Sequence, residues 1–272
     1  MKRYRVLFNP LAGGGTGRRT AMHLLELLPD CELRFCDLTE IDSIPSFLAK
    51  ADPKDAILIA GGDGTLSHFA NSVAALPPHQ DIYYYATGTH NDFWRDIGRQ
   101  PGDPPVRVNR YLAGLPTVLC DGEERRFLNG VVCGTGAPGD LTHAHPASVT
   151  LTADGAPHAF RQVWFAAVTY GKYCSGLATA PEQDRLRAGQ LTVTVLHGTG
   201  RFAASRILRA LRAGRWVRDP AHLTVLTGKS ITLSCAAEHG TPGVFCDSDP
   251  IRQKKSGNFK KALDISAICG IR

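Results

Sequence analysis

The fold of this chain is decided by residues 56–65, with the sequence AILIAGGDGT. The first five residues form a short apolar run, which is typical of a strand buried on both faces of a parallel sheet. A glycine-rich turn with one aspartate follows, and it leads into residues 66–73, where apolar side chains recur with a helical period. Glycines let backbone N–H groups approach an anion at the start of a helix, so this stretch favours a phosphate-binding loop.

Two more loops of this kind follow predicted strands. Residues 88–92 (GTHND) come after the apolar run 82–86, and residues 9–17 (NPLAGGGTG) come after the run 4–8. Each loop also has a structural alternative. Asp63 is also compatible with a simple cap of the next helix, residues 91–92 with a helix start, and residues 9–17 with an ordinary turn between strand and helix.

The first hundred residues alternate strand and helix patterns, and the remainder is rich in hairpin patterns. Predicted strands are 4–8, 32–36, 56–60 and 82–86, with helices at 18–28, 41–50, 66–76 and 91–97. Later strands are predicted at 117–120, 126–133, 148–152, 160–170, 191–196, 223–226, 231–235 and 263–268, with a helix at 202–213. A boundary at the Pro- and Gly-rich residues 100–105 gives an α/β domain, 1–105, and a mainly antiparallel β domain, 106–272.

Composition narrows the class of protein. The chain has 272 residues, 43% of them hydrophobic, and no apolar run approaches the ~20 residues that span a bilayer. The start of the chain does not have a signal-peptide pattern, so we expect a cytoplasmic location. Eight scattered cysteines without a CxxC pair are expected to be buried thiols rather than disulfides or zinc ligands.

The formal net charge of +6 fits an anionic ligand or an anionic membrane surface, and no nucleic-acid-binding module is recognisable. The predicted helix 202–213 places Arg206, Arg209 and Arg212 opposite an apolar stripe. This basic face is compatible with docking on anionic lipid headgroups or with an ordinary solvated surface.

Together, the motifs resemble those of the diacylglycerol kinase catalytic family, a lipid kinase group that also includes sphingosine and ceramide kinases. The first loop matches the family's Asn-Pro-x-x-Gly-x-Gly pattern, residues 61–65 match Gly-Gly-Asp-Gly-Thr, and residues 88–93 match Gly-Thr-x-Asn-Asp-Phe. Later similarities cover Phe127 to Asn129 with Gly134 and Gly136, Ala180-Pro181 with residues 189–193, and residues 247–250 in the place of Asp-Gly-Glu-Pro.

The resemblance implies an α/β nucleotide domain of NAD-kinase type and a β-rich domain, with the active site between them. It implies ATP and Mg²⁺ as cofactors and transfer of the γ-phosphate to a lipid hydroxyl at the membrane surface. The enzyme would be cytoplasmic or peripheral at the inner membrane, without a transmembrane segment and without a nucleic-acid partner. Edge strands of the second domain are also compatible with a homodimer.

Carried over to this chain, the resemblance implies the following site residues. The nucleotide-binding residues are Asn9, Gly13, Gly15, Thr39, Gly61, Gly62, Asp63, Gly64, Thr65, Gly88, Thr89 and Asn91. The catalytic residues are Asp63, Asp92, Asp247 and Asp249, of which Asp63 and Asp92 would hold Mg²⁺. Asp63 and Asp247 are the two alternatives for the general base.

The chain departs from the family pattern at four places. His68 stands where the family usually has Glu, Ala188 replaces an Asp that supports a structural Mg²⁺, and Ser248-Asp249 replaces Gly-Glu. The usual helical insertion before the strand at 148–152 is missing. Two alternative functions therefore remain: an NAD-kinase-like enzyme with a soluble acceptor, and a non-catalytic nucleotide-binding protein.

Overall fold

A computed structural model describes residues 1–74, 79–120, 122–134, 141, 144–186, 189–236, 243–247, 249–250 and 262–268, with backbone only at 236, 243, 249–250 and 262–268. The chain forms two compact units, Met1–Ala113 and Gly114–Arg272. The division falls eight residues beyond the predicted boundary at 105. Residues 106–107 stay with the first unit because they pair with the strand at 82–86.

The first unit is an α/β domain. Its strands are β1 (Lys2–Phe8), β2 (Cys31–Asp37), β3 (Ala56–Gly61), β4 (Ile82–Ala86) and β5 (Val106–Arg107). Its helices are α1 (Ala12–Gly15), α2 (Gly17–Met22), α3 (Leu24–Leu27), α4 (Ile44–Lys50), α5 (Asp63–Ser72), α6 (Asp92–Asp96) and α7 (Asn109–Leu112), and a 3₁₀ turn spans Leu38–Glu40.

The sheet of this unit has the order β2-β1-β3-β4-β5. The first four strands are parallel, which confirms the predicted parallel sheet, and β5 runs antiparallel to β4. Strand β3 is central and all six of its residues are buried, as expected for an apolar strand covered on both faces. The predicted helix 18–28 is divided at His23 into α2 and α3.

The second unit is built mainly of antiparallel strands. They are β6 (Thr117–Cys120), β7 (Glu123–Arg126), β8 (Gly130–Gly134), β9 (Ala147–Ala153), β10 (Ala156–Val163), β11 (Phe165–Thr169), β12 (Tyr173–Cys174), β13 (Leu177–Ala178), β14 (Leu191–Leu196), β15 (Leu223–Gly228), β16 (Ser230–Ala236), β17 (Gly243–Cys246), β18 (Asp249–Pro250) and β19 (Ala262–Ile268). One longer helix, α8 (Arg201–Arg212), lies between β14 and β15.

Two six-stranded sheets form a sandwich, with orders β10-β9-β16-β19-β6-β7 and β15-β14-β11-β8-β17-β18. Alternate residues of β8 show the layering. Val131 and Cys133 belong to the core shared by the two sheets, while Val132 belongs to a second core that contains the buried face of α8. Helix α8 therefore covers the outer face of the second sheet, as the period of two along a strand requires.

Two predicted strands are each divided in the structure. Residues 160–170 leave one sheet and enter the other at Trp164, after a register shift between Phe160 and Val163. Residues 126–133 are interrupted at 127–129, where the backbone N–H groups of Leu128 and Asn129 donate to a side chain instead of a neighbouring strand. None of the seven described cysteines forms a disulfide, as predicted; five are buried, whereas Cys31 and Cys36 are only partly buried. Within the described ranges, no helix is long and apolar enough to span a membrane.

Candidate functional site

Three loops of the first unit meet at the carboxyl ends of β1, β3 and β4. The backbone N–H of Asn9 donates to the carbonyl of Ala60 at 2.9 Å, and the N–H of Thr87 donates to the carbonyl of Gly61 at 2.8 Å. The Asn9 side-chain amide also donates to the hydroxyl of Thr65 at 2.9 Å. The predicted loops 9–17, 61–65 and 88–92 are therefore direct neighbours, at the edge of a parallel sheet where ligands usually bind.

Close packing between two of these loops explains part of their glycine content. A Cβ on Gly88 would lie 2.5 Å from the Cα of Gly62, which leaves no space for any side chain. The Asn91 side chain fixes the same turn, since its amide oxygen accepts from the Gly88 N–H and its amide nitrogen donates to the Gly88 carbonyl, both at 2.9 Å. Gly62 and Gly88 thus have a packing role in addition to any role in ligand binding.

The Asp63 carboxylate also joins the loop 61–65 to the loop 88–92. One oxygen accepts from the backbone N–H of Asp92 and the other from the N–H of Phe93, both at 2.9 Å, and the residue is buried. Asp63 therefore caps α6 from its own position in the first turn of α5, whose N-cap residue is Gly62. Asp63 thus has a capping role, and the helix that these two bonds cap is α6.

Tyr84 is a site residue that the sequence did not point to. Its buried hydroxyl donates to the Gly61 carbonyl at 3.0 Å. Burial raises the pKa of Tyr84 well above its ordinary value, and the negative charges of Asp63 and Asp92 raise it further. Both carboxylates therefore favour the neutral form of the same phenol. The run of three tyrosines in β4 contains no sequence signal that distinguishes Tyr84 from the other two.

The first loop contributes exposed backbone. Gly14 and Gly15 both have positive φ and nothing stands within 4 Å of a Cβ built on either one. The first turn of α5 contains Gly64 and Thr65, and N–H groups in a first turn lack acceptors inside the helix. Thr89 is exposed in the adjoining loop. Backbone amides, a hydroxyl and open space on one side are suited to an anionic ligand such as a phosphate chain.

Thr39 stands apart from this arrangement. Within the described part of the chain, its N–H and its hydroxyl both donate to the Asp37 carboxylate, at 2.9 and 2.7 Å. These bonds cap the 3₁₀ turn and do not involve any of the three loops. The assignment of Thr39 to nucleotide binding stays a prediction.

The two carboxylates of this loop cluster are candidate ligands for Mg²⁺. Asp63 and Asp92 offer carboxylate oxygens from adjacent loops, and Arg95 lies 3.7 Å from an Asp92 oxygen. Among the described residues, no group of three or more His, Cys, Asp or Glu side chains could hold a metal by itself. Mg²⁺ commonly binds through one or two carboxylates together with substrate phosphates and water, so two oxygen donors fit an ion that arrives with a nucleotide.

In the second unit, Asp247 is buried and lies at the interruption between β7 and β8. Its carboxylate accepts from the backbone N–H groups of Leu128 and Asn129, both at 2.6 Å, and of Gly130 at 3.1 Å. Buried Arg185 binds the same segment as a hydrogen-bond donor. It donates to the Leu128 carbonyl at 3.0 Å and to the Asn129 side-chain oxygen at 3.1 Å. Sequence reasoning missed Arg185, since nothing local distinguishes it from a surface arginine.

The remaining predicted features of the second unit are only partly described. The side chain of Asp249 lies outside the described residues, as do Gly136, Ala188 and Ser248. His68, in the first unit, is exposed on α5. The predicted roles of Asp249 and Ala188 therefore stay predictions.

Two family models match consecutive parts of the chain. The model of the diacylglycerol kinase catalytic domain matches residues 3–119, and that of the YegS C-terminal NAD kinase beta sandwich-like domain matches residues 121–253. The chain is similar to a diacylglycerol kinase of Bacillus subtilis, with 26% identity over 158 residues, 55% of this chain and 50% of the relative. A diacylglycerol kinase of Staphylococcus saprophyticus is 28% identical over 134 residues, 47% of this chain and 44% of the relative. The chain thus spans about half the length of these curated relatives.

Solved structures support the fold. A diacylglycerol kinase from Bacillus anthracis aligns over 99% of this chain and 94% of its own, with 20% identity and a TM-score of 0.60. A putative diacylglycerol kinase from the same organism aligns over 99% and 95%, with 19% identity and a TM-score of 0.63. At these identities the similarity concerns the arrangement of the chain: a parallel α/β domain followed by an antiparallel β domain.

Proposed function

The chain belongs to the diacylglycerol kinase catalytic-domain family, and from that premise we propose that it is an ATP-dependent kinase that phosphorylates a lipid hydroxyl. The observation that carries the proposal is the meeting of three loops at the carboxyl ends of β1, β3 and β4. These loops bring open glycine backbone and the carboxylates of Asp63 and Asp92 to the same edge of the sheet. Phosphoryl transfer depends mainly on positioning and charge stabilisation, and this arrangement offers both.

The proposed roles follow from the position of each group. The exposed backbone of Gly14 and Gly15, the first turn of α5 and the Thr89 hydroxyl bind the phosphates of ATP. Asp63 positions the loop 88–92 through α6, and Asp92 supplies a second carboxylate. Bound Mg²⁺, held by these two carboxylates with phosphate oxygens, would neutralise phosphate charge.

The proposed reaction breaks the bond between the γ-phosphorus and its bridging oxygen, so that ADP leaves with the bond's electron pair. A new bond forms between that phosphorus and the lipid oxygen, and the hydroxyl proton passes to a carboxylate. Asp63 and Asp247 are the candidates for the group that receives it. Each also holds backbone N–H groups, so replacing either one affects local structure as well as proton transfer.

The proposal is tested by incubating the purified chain with γ-labelled ATP, Mg²⁺, a panel of lipids with free hydroxyl groups, and NAD. We expect a labelled lipid on chromatography, with turnover lowered at least about 100-fold by Asp92→Asn. Asp42→Asn, at an exposed site in the same unit, removes the same charge and should leave turnover unchanged. Labelled NADP instead would indicate a soluble acceptor, and the absence of any labelled product would refute the lipid kinase proposal.

A second candidate function is nucleotide binding without transfer. It is favoured because both candidate bases have structural roles: Asp63 caps α6, and Asp247 binds the backbone of residues 128–130. Exposed His68 in place of the usual glutamate also removes one carboxylate near the loop. Saturable ATP binding by calorimetry, with no phosphorylated product from any acceptor, would support this second function.

A further inference from the structure

Helix α8 has one face committed to the core of the second unit. Ala204, Ile207, Leu208 and Leu211 are buried against the outer face of the second sheet. They recur at the spacing of a single helical face. The apolar side of this amphipathic helix is therefore already satisfied within the protein, and any partner must meet the opposite side.

The opposite side presents an exposed aromatic ring between two arginines. Phe202, Arg206 and Arg209 are spaced i, i+4 and i+7, which places them within about 60° of one another around the helix axis. Both arginines are exposed, and Phe202 is 94% exposed, more than any other large hydrophobic side chain in the described ranges. We name these three residues the outer face of α8.

The charge excess of the whole chain is concentrated around this face. Residues 201–218 contain six arginines and no aspartate or glutamate. The rest of the chain contains 25 basic and 25 acidic residues, so its formal charge is zero. A local cation density of this size, with a protruding aromatic ring, is complementary to a surface that is anionic outside and apolar beneath.

We propose that the outer face of α8 docks the protein on anionic phospholipid membranes. The arginines contact headgroup phosphates, and the Phe202 ring enters the boundary between headgroups and acyl chains. The occupant is a lipid surface rather than a nucleic acid because an exposed phenyl ring gains from apolar surroundings, and because the proposed function needs access to a lipid. The docking extends that function but does not require phosphoryl transfer, and it is measurable without nucleotide.

The test is cosedimentation of the full chain, without ATP, with vesicles of phosphatidylcholine alone or of phosphatidylcholine and phosphatidylglycerol. We expect binding to the anionic vesicles only, weakened as salt is raised. Arg206→Gln/Arg209→Gln should weaken partitioning about 10-fold to 30-fold, since each basic residue near the surface contributes roughly fivefold. The matched control is Arg99→Gln/Arg161→Gln, which removes two exposed arginines elsewhere and should stay within about twofold of wild type.

A second measurement reports insertion rather than attraction alone. Phe202→Trp should gain fluorescence on anionic vesicles and lose it when the acyl chains are brominated, because the ring is expected to reach the apolar boundary. Emission from position 202 that brominated lipids do not quench would contradict insertion. Circular dichroism and thermal unfolding of each variant establish that the fold is retained.

The proposal is overturned if the wild-type protein does not bind anionic vesicles, or if Arg206→Gln/Arg209→Gln binds them as tightly as the control Arg99→Gln/Arg161→Gln. It is also overturned if a single- or double-stranded oligonucleotide binds through Arg206 and Arg209 while vesicles do not. Vesicle binding through these residues without any lipid phosphorylation would leave docking standing and refute the proposed kinase. Phosphorylation of a detergent-dispersed lipid without vesicle binding would support the proposed kinase and refute docking.

Discussion

The Asp63 carboxylate accepts a hydrogen bond from the backbone N–H of Asp92, 29 residues further along the chain. This bond joins the two glycine–aspartate loops, and the adjacent bond to the Phe93 N–H completes the cap of α6. The aspartate of the first loop therefore sets the position of the aspartate in the second. Under the proposed function, a variant of Asp63 would therefore change local stability as well as catalysis.

We predict that Asp63→Asn lowers the free energy of unfolding by about 1–3 kcal/mol, because an amide offers one acceptor where two buried N–H groups each need one. Urea unfolding measures this change. The matched variant Asp42→Asn, at an exposed position, should stay within about 0.5 kcal/mol of wild type. Equal stability of the two variants would contradict the capping role of Asp63.

Gly88→Ala should destabilise the first unit, because the new methyl group would lie 2.5 Å from the Cα of Gly62 and 2.8 Å from the Asn91 amide oxygen. We expect a loss of about 1–3 kcal/mol in the free energy of unfolding. Thr89→Ala, one residue further on, should keep its stability within about 0.5 kcal/mol because Thr89 is exposed. Under the proposed function, calorimetry should show weaker ATP binding for both variants; full stability of Gly88→Ala would disprove the close contact.

In the second unit, Asp247→Ala should be strongly destabilising. It would leave the N–H groups of Leu128, Asn129 and Gly130 without their carboxylate acceptor, and we expect a loss of about 2–4 kcal/mol. Thermal and urea unfolding measure it against Glu124→Ala, which removes an exposed carboxylate of β7. An Asp247→Ala protein that is as stable as this control would show that Asp247 does not organise the segment.

Alkaline pH should destabilise the folded chain. Burial raises the pKa of Tyr84 well above its ordinary 10.0, and the hydrogen bond with Cys235 and burial raise that of Cys133 well above 9.0. Between the unfolded and folded pKa values, the unfolded chain has lost the proton that the folded chain keeps, so stability is full below pH ~9 and falls as pH rises.

Urea unfolding between pH 8 and 10.5 would follow this fall, using short exposures at the alkaline end. Tyr84→Phe should reduce its slope, while lowering stability at neutral pH by about 1 kcal/mol through loss of the bond to the Gly61 carbonyl. An unchanged slope in Tyr84→Phe would show that Tyr84 ionises as readily in the folded protein as in the unfolded one.

Much of the fold followed from local pattern. The short apolar runs before each glycine loop predicted β1, β3 and β4, and β4 begins and ends where expected. Parallel strands also predicted that the loops after them would share one edge of the sheet. Strand boundaries were less predictable where a side chain competed for the backbone. The run 126–133 reads as one strand, yet Asp247 takes the N–H groups of Leu128 and Asn129.

The sequence by itself determined the order of strands and helices, the family, and the set of polar residues that the loops carry. Strand and helix patterns depend on a few neighbouring residues, so they can be recognised in the sequence alone. Only the tertiary structure decided which groups those polar residues bond to. Asp63 bonds to groups 29 and 30 residues away, and Asp247 to groups 117 to 119 residues away. Such partners come together only when the chain packs, so the residues next to either aspartate in the sequence do not predict them.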